Sequence, residues 1–121
     1  MRMEIETRMG DEIGRYLDLA TSEIKLTAAN MANIDTPGYR AMGMDFEAEM
    51  REAVDGADQG RPARQVRVRE VDGLISRPDG NDVSMDRESL NLAEAQLKFK
   101  VGVALWRENN QTVMDAIHAD K

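Results

Sequence analysis

From Ile13 onward an apolar or small residue falls at every third or fourth position: Ile13, Leu17, Ala20, Ile24, Thr27, Met31 and Ile34. Alternating steps of four and three place them on one side of a helix, as a heptad seam. Tyr16, Leu19 and Leu26 make a second row beside it, and Asp18, Glu23 and Lys25 keep the remaining face wet. Asp11 has the side chain of an N-cap, and Glu12 puts negative charge in the first turn, where the helix dipole favours it. The pattern predicts a helix from Asp11 to about Asn33, roughly 35 Å long at about 1.5 Å per residue. Residues 1–10 are mixed and polar, and the reading expects them to be mobile in the free chain.

The seam runs into a hard stop. Asn30 and Asn33 carry short amides that bond nearby backbone, which suits a helix end better than a helix middle. Pro37 cannot continue a helix and pushes Thr36 into extended backbone. Pro37 and Gly38 then supply the two dihedrals of a tight turn. Tyr39 can fold its ring back over the helix end, and its hydroxyl is expected in water. Taken alone, this is an ordinary helix terminus with a Pro-Gly turn.

The pattern changes between Met42 and Asn81. Gly43, Gly56, Gly60, Gly73 and Gly80 punctuate it, together with Pro62 and Pro78. Phe46, Met50 and Val54 share one face of a short predicted helix. Val66, Val68 and Val71 alternate with Arg67, Arg69 and Asp72, which predicts a strand. Asp72-Gly73 is a favoured hairpin turn, with Leu74 and Ile75 opening the return strand. A lone hairpin is marginal in water, so the insert is expected to be flexible or weakly β. Arg61, Arg64, Arg67 and Arg69 form a basic patch, either a solvated strand face or a contact for an acidic neighbouring subunit.

Asp82 or Ser84 is expected to cap a second long helix. One row along it is Leu90, Ala93, Leu97, Val101 and Ala104; the other includes Leu92, Phe99, Val103, Trp106, Val113 and Ile117. Together they cover more than the single stripe needed to pack on one partner. Gly102 costs a helix interior about 1 kcal/mol relative to Ala, so a close helix approach is one reason for it and neutral variation the other. Glu94 and Lys98 are spaced as an exposed i,i+4 pair.

The expected fold is all-α. Two long terminal helices pair as an antiparallel coiled-coil hairpin around the central insert, dividing the chain into 1–40, 41–82 and 83–121. The 121 residues make a thin core, so the surplus apolar rows must meet other subunits.

Composition narrows the chemistry. A net charge of -7 argues against a nucleic-acid footprint. There is no Cys, hence no disulfide or thiolate chemistry, and the single His118 lies near the end of a helix. No Ser/His/Asp arrangement or phosphate loop is evident, so the reading expects no catalytic, cofactor or metal site. The carboxylates Asp82, Asp86 and Glu88 are explained as helix-start charge. Met31, Met42, Met44 and Met50 gather near the Pro-Gly turn, either as core filling or as an adaptable contact surface. No apolar run is long enough to span a membrane, and no continuous apolar core like that of a cleaved secretory signal lies at the start.

The segment Asn30, Ala32, Asn33, Thr36, Pro37, Gly38 and Tyr39 resembles the N-terminal signature of bacterial flagellar rod and hook proteins. Met44-Asp45-Phe46-Glu47 resembles its continuation in the most proximal rod protein. Ala29 and Ile34 depart from the usual pattern, which has a small polar residue and a smaller residue there. The run from Gly80 to Glu88, then Ala93 to Phe99, resembles the start of the same family's C-terminal helix.

The resemblance implies a structural subunit of the basal-body rod, built of terminal helices in a tubular wall that transmits torque and lines an export channel. It implies export without a cleaved signal, and action in the periplasm. Implied partners are copies of itself, other rod proteins, the membrane-embedded ring at the rod base and the export gate. Asn30, Asn33, Thr36, Pro37, Gly38 and Tyr39 would fix the turn. Ile13, Leu17, Ile24, Leu97, Phe99, Val101, Gly102, Val103 and Trp106 would pack between subunits. The competing class is a soluble helical adaptor or export chaperone, which shares the charge and the heptads but does not need the Thr-Pro-Gly-Tyr stop.

Overall fold

The computed structural model describes residues 2–119, with side chains from residue 8 onward. It is mainly helical: α1 (Arg2–Ala32), β1 (Met42–Gly43), α2 (Phe46–Asp58), β2 (Arg69–Glu70) and α3 (Met85–Ala119). The two long helices are the terminal ones, and they pair with each other. Gly10 lies beside Asn109, Leu17 beside Gly102, Glu23 beside Lys98 and Asn30 beside Glu88. The partners step down α3 as they step up α1, so the pair is antiparallel.

The helix α1 has 31 residues and starts at Arg2, well before the predicted Asp11. Met, Glu and Arg are strong helix formers, and the segment Met3–Arg8 is rich in them, so propensity carries the helix beyond the reach of the apolar seam. Its length is therefore about 46 Å rather than about 35 Å. The core between the helices is built from small residues. Ala20 and Ala95 are fully buried, and Ile13 and Leu19 of α1 are nearly so. Such residues let backbones approach, and Gly102 marks a tight point. A Cβ there would lie 2.6 Å from Leu17 Cδ2 and 3.1 Å from Tyr16 Cδ1.

The helix α2 begins at Phe46 as its pattern predicts, but runs on to Asp58. Asp45 caps it by accepting the Ala48 N–H. At the other end the Gly60 N–H reaches Ala57 O and the Arg61 N–H reaches Gly56 O, the paired bonds of a Schellman stop. Gly56 and Ala57 are buried, which is why the helix continues past Val54. The face of α2 docks on α1 through Tyr16 and Phe46, whose rings meet edge to face at 5.7 Å. Lys98 of α3 stands 3.9 Å over the same Phe46 ring and pairs with Glu23 of α1 at 3.2 Å. Lys98 thus ties three helices together instead of forming the predicted surface pair with Glu94.

The predicted hairpin at Asp72-Gly73 is not the one that forms. Gly73 does turn, with φ 79°, but Leu74 and Ile75 do not pair, and Ile75 is 92% exposed. The strand partner of β2 is β1, antiparallel, with Met42 opposite Glu70. Val71 N–H donates to Ala41 O at 3.0 Å and extends the pairing. The cause is that Met42 is already held extended from the side of α1, as the next subsection describes.

Candidate functional site

The residues of the Asn30–Tyr39 stop come together with a second stretch, Arg77–Glu88, that leads into α3. Asn30 is 1% exposed and uses its whole carboxamide. Its Nδ2 donates to Met42 O at 2.8 Å and to Glu88 Oε1 at 2.8 Å. Its Oδ1 accepts from Met42 N at 3.0 Å and from the Tyr39 hydroxyl at 3.1 Å. Asn30 therefore acts toward Met42 as a strand neighbour would, taking both the N–H and the C=O. The Tyr39 hydroxyl is inside this cluster and not in water, because Asn30 offers it an acceptor beneath the ring.

Asn33 closes the end of α1. Its Nδ2 donates back to Ala29 O at 2.8 Å, and its Oδ1 accepts from Thr36 Oγ1 at 3.0 Å. Gly38 follows Pro37 with φ 75°, a left-handed conformation that side chains with a Cβ resist. The Gly38 N–H donates to Asp79 O at 2.8 Å, and Asp82 N–H donates to Tyr39 O at 3.3 Å. The turn after α1 is thus bonded directly to the turn before α3.

Asn81, fully buried, mirrors Asn30. Its Nδ2 donates to Asn33 O and Thr36 O at 2.9 and 2.8 Å, and its Oδ1 accepts from Val83 N at 2.8 Å. Asp82 is 2% exposed; its carboxylate accepts from Ala41 N at 2.6 Å and Arg40 Nε at 2.9 Å. Arg77 spans the same junction, donating to Val83 O at 2.9 Å and to Ile34 O. Glu88 is wholly buried, with Oε1 bonded to Asn30 and Arg87 and Oε2 without a partner.

Asn30, Asn33, Thr36, Pro37, Gly38 and Tyr39 all lie at this junction, and Asn81 and Arg77 are partners that their spacing in the sequence does not reveal. Asp82 and Glu88 are not helix-start charges in solvent. Both are buried and bonded across the junction. The cap of α3 is Ser84, whose Oγ accepts from Arg87 N at 3.3 Å.

The basic patch divides. Arg67 and Arg64 hold Glu49, itself 5% exposed, at 2.8 and 3.3 Å. Burial raises the Glu49 pKa, but bonds from Arg67 and the charges of Arg64 and Arg67 outweigh it, and the net shift is downward. Arg61 pairs with Asp55 at 3.2 Å. These arginines therefore serve α2 and its following strap first, and are not simply a solvated strand face. Glu12 of α1 behaves oppositely. Burial and then a hydrogen bond and repulsion from Asp58 raise its pKa.

The residues proposed to pack between subunits fall into two groups. Ile13 and Gly102 are buried within the chain, and Leu17 lies against Gly102. Ile24 and Val103 are half-buried, while Phe99 and Trp106 remain partly open at 38% and 49%. Leu97 and Val101 stand on another face of α3, with Leu90 and Leu105, and are 63% and 45% exposed. Among the described residues no group of His, Cys, Asp and Glu is placed to hold a metal, and no helix is long and apolar enough to cross a membrane.

No family model matches the chain. Individual relatives do. The flagellar basal body rod protein FlgB of Salmonella typhimurium is 32% identical over 119 residues, covering 84% of this chain and 86% of that protein. FlgB of Yersinia ruckeri is 30% identical over 110 residues, covering 74% and 78%. FlgB of Cereibacter sphaeroides is 28% identical over 127 residues, covering 94% of this chain and 99% of its own length.

Proposed function

The chain belongs to the FlgB family of flagellar basal body rod proteins, and we propose that it forms the rod by helical assembly with copies of itself and with other rod proteins. It is a structural component of the rod. In the proposed arrangement the terminal helices, within segments 1–40 and 83–121, make the wall of the export channel and carry torque. Segment 41–82 lies outside that wall. The membrane-embedded ring at the rod base and the export gate are its proposed neighbours at the start of assembly. The chain is proposed to be exported without a cleaved signal and to act in the periplasm.

One observation carries this reading. The helix α3 is apolar on the side that meets α1 and apolar again on a face that the described residues leave at least 45% exposed, at Leu90, Leu97, Val101 and Leu105. An uncovered stripe of that kind favours association over life as a monomer. Unlike surfaces joined head to tail build a helical array when the rotation does not close. Load then passes through packed side chains, with no chemistry required. The polar junction of Asn30, Asn81 and Asp82 supports the reading from inside the subunit. It fixes where α1 leaves the hairpin and where α3 enters it.

The test is an in-frame deletion in the source bacterium, followed by electron microscopy of purified basal bodies. Membrane rings without a rod, together with failure to secrete hook subunits, are the expected result. A complete rod and filament would remove the assignment and put the adaptor reading in its place.

A further inference from the structure

Residues 61–68 cross from the end of α2 to β2 as a strap with no helix or strand of its own. Every residue of it except Val66 is exposed. Its two ends are fixed. At the first, the Arg61 N–H donates to Gly56 O at 2.7 Å, and the Arg15 guanidinium of α1 donates to Arg61 O and to Ala53 O. At the second, β2 is paired with β1.

Between those ends the strap is held by one acid. Glu49 of α2, 5% exposed, accepts from Arg64 Nη2 at 3.3 Å and from Arg67 Nε and Nη2 at 3.0 and 2.8 Å. It also accepts the Arg67 backbone N–H at 3.3 Å. Arg64 reaches Glu52 as well, at 3.5 Å, but both side chains of that pair are more exposed and it contributes little. Among the described residues, no hydrogen bond or ion pair joins residues 62–68 to α1 or α3.

A buried carboxylate that loses its donors in place is stranded. Glu49 escapes that cost if the strap lifts. It lines the same groove of about 720 Å³ that the strap closes, so lifting the strap lets water reach it. The apolar contact given up is small, since Val66 alone of the strap is half-buried. The helices keep their own contacts: Leu17 against Gly102, Tyr16 against Phe46, and the Asp45 cap of α2.

We infer that residues 62–68 are a flap that opens as a unit between Arg61 and Arg69 while the three helices stay folded, with Glu49 as its latch. Opening frees the guanidinium groups of Arg64 and Arg67 and uncovers the groove wall at Leu26 and Ala53. The closed chain thus withholds a basic and apolar surface that the open chain presents. Sub-global openings of this kind draw on segments with few buried apolar contacts. The flap belongs to the single chain and opens whether or not rod assembly follows.

The chain has no cysteine, so Ala53→Cys places a single reporter thiol in the groove wall under the strap. Full-length Ala53→Cys, alone and combined with Glu49→Gln, is checked for unchanged helicity and labelled with a maleimide at neutral pH. Labelling is followed at urea concentrations below the unfolding midpoint. It should rise only shallowly with urea, because the flap exposes little surface. Glu49→Gln should speed it about tenfold, the size expected when bonds to a charged group are weakened. Glu52→Gln should leave it unchanged. Arg67→Gln removes the same bonds from the strap side, should speed labelling likewise, and takes the place of Glu49→Gln if that variant does not fold. Labelling that climbs with urea as steeply as global unfolding would overturn the flap. So would a rate that Glu49→Gln and Arg67→Gln leave unchanged, or one that Glu52→Gln raises as much.

Discussion

Asn30 Nδ2 donates to Glu88 Oε1 at 2.8 Å, joining residues 58 positions apart at a site where both are at most 1% exposed. This bond links the end of α1 to the first turns of α3. The same amide holds Met42 extended and receives the Tyr39 hydroxyl, so one side chain organises both chain exits. Buried polar groups are costly once a partner is removed, and that makes the junction sensitive to small changes.

Asn30→Ala is therefore expected to lower stability by about 3 kcal/mol, because it takes both backbone bonds from Met42 and leaves the buried Glu88 with Arg87 alone. Tyr39→Phe removes one bond and should cost about 1 kcal/mol. Urea midpoints of the isolated chain check the order. Equal effects would show that Asn30 is not the hub.

Gly102→Leu is expected to weaken the hairpin itself. The added side chain meets Leu17 and Tyr16 before it can gain helix propensity. Overpacking of this kind costs about 2 kcal/mol, against about 1 kcal/mol recovered from replacing glycine. Thermal unfolding should show a net loss; a gain would mean that α1 and α3 separate easily at this level.

Gly38→Val acts through the backbone. A Cβ at Gly38 would meet nothing within 4 Å, so the cost comes from φ 75° and not from a clash. A β-branched residue in that region costs about 2 kcal/mol. The expected result is a loosened turn and a non-motile strain, whereas Gly38→Asn keeps motility. Normal motility with Val would show that this turn does not govern assembly.

Two carboxylates give opposite pH dependence. The Glu49 pKa is lowered from 4.5 in the folded chain, so its stabilisation is present above that value and is lost as pH falls through the folded pKa. The Glu12 pKa is raised from 4.5, so its contribution is present below that value and is lost as pH rises through the folded pKa. Glu49→Gln should thus destabilise at neutral pH and approach the natural chain in acid. Glu12→Gln should help most at neutral pH. Denaturation across the acid range checks both signs.

The long helices, their antiparallel pairing and the Pro-Gly stop were legible because each leaves a local mark: a seam of apolar positions, a residue that cannot be helical, or a turn dipeptide. The polar junction was not. Nothing in the spacing of Asn81, Asp82 and Glu88 says that they turn inward, and acids near a helix start read equally well as solvent-facing charge. The hairpin misreading has the same origin. Leu74-Ile75 has the composition of a return strand, but the Asn30 side chain fixes Met42 in place, and β2 pairs there instead. Lys98 is similar: its i,i+4 neighbour Glu94 is visible in the sequence, while Glu23 and Phe46 are brought to it only by the fold. The uncovered face of α3 was legible, because two apolar rows on one helix exceed what a single partner can bury.

That face is the centre of the account, and Leu97→Asp/Val101→Asp tests it most directly. Both positions are exposed, so the variant should unfold at the same urea concentration as the natural chain. Introduced in place of the natural gene, it should give basal bodies with rings and no rod. Complete rods containing this stable variant would contradict the claim that the outer stripe of α3 drives assembly.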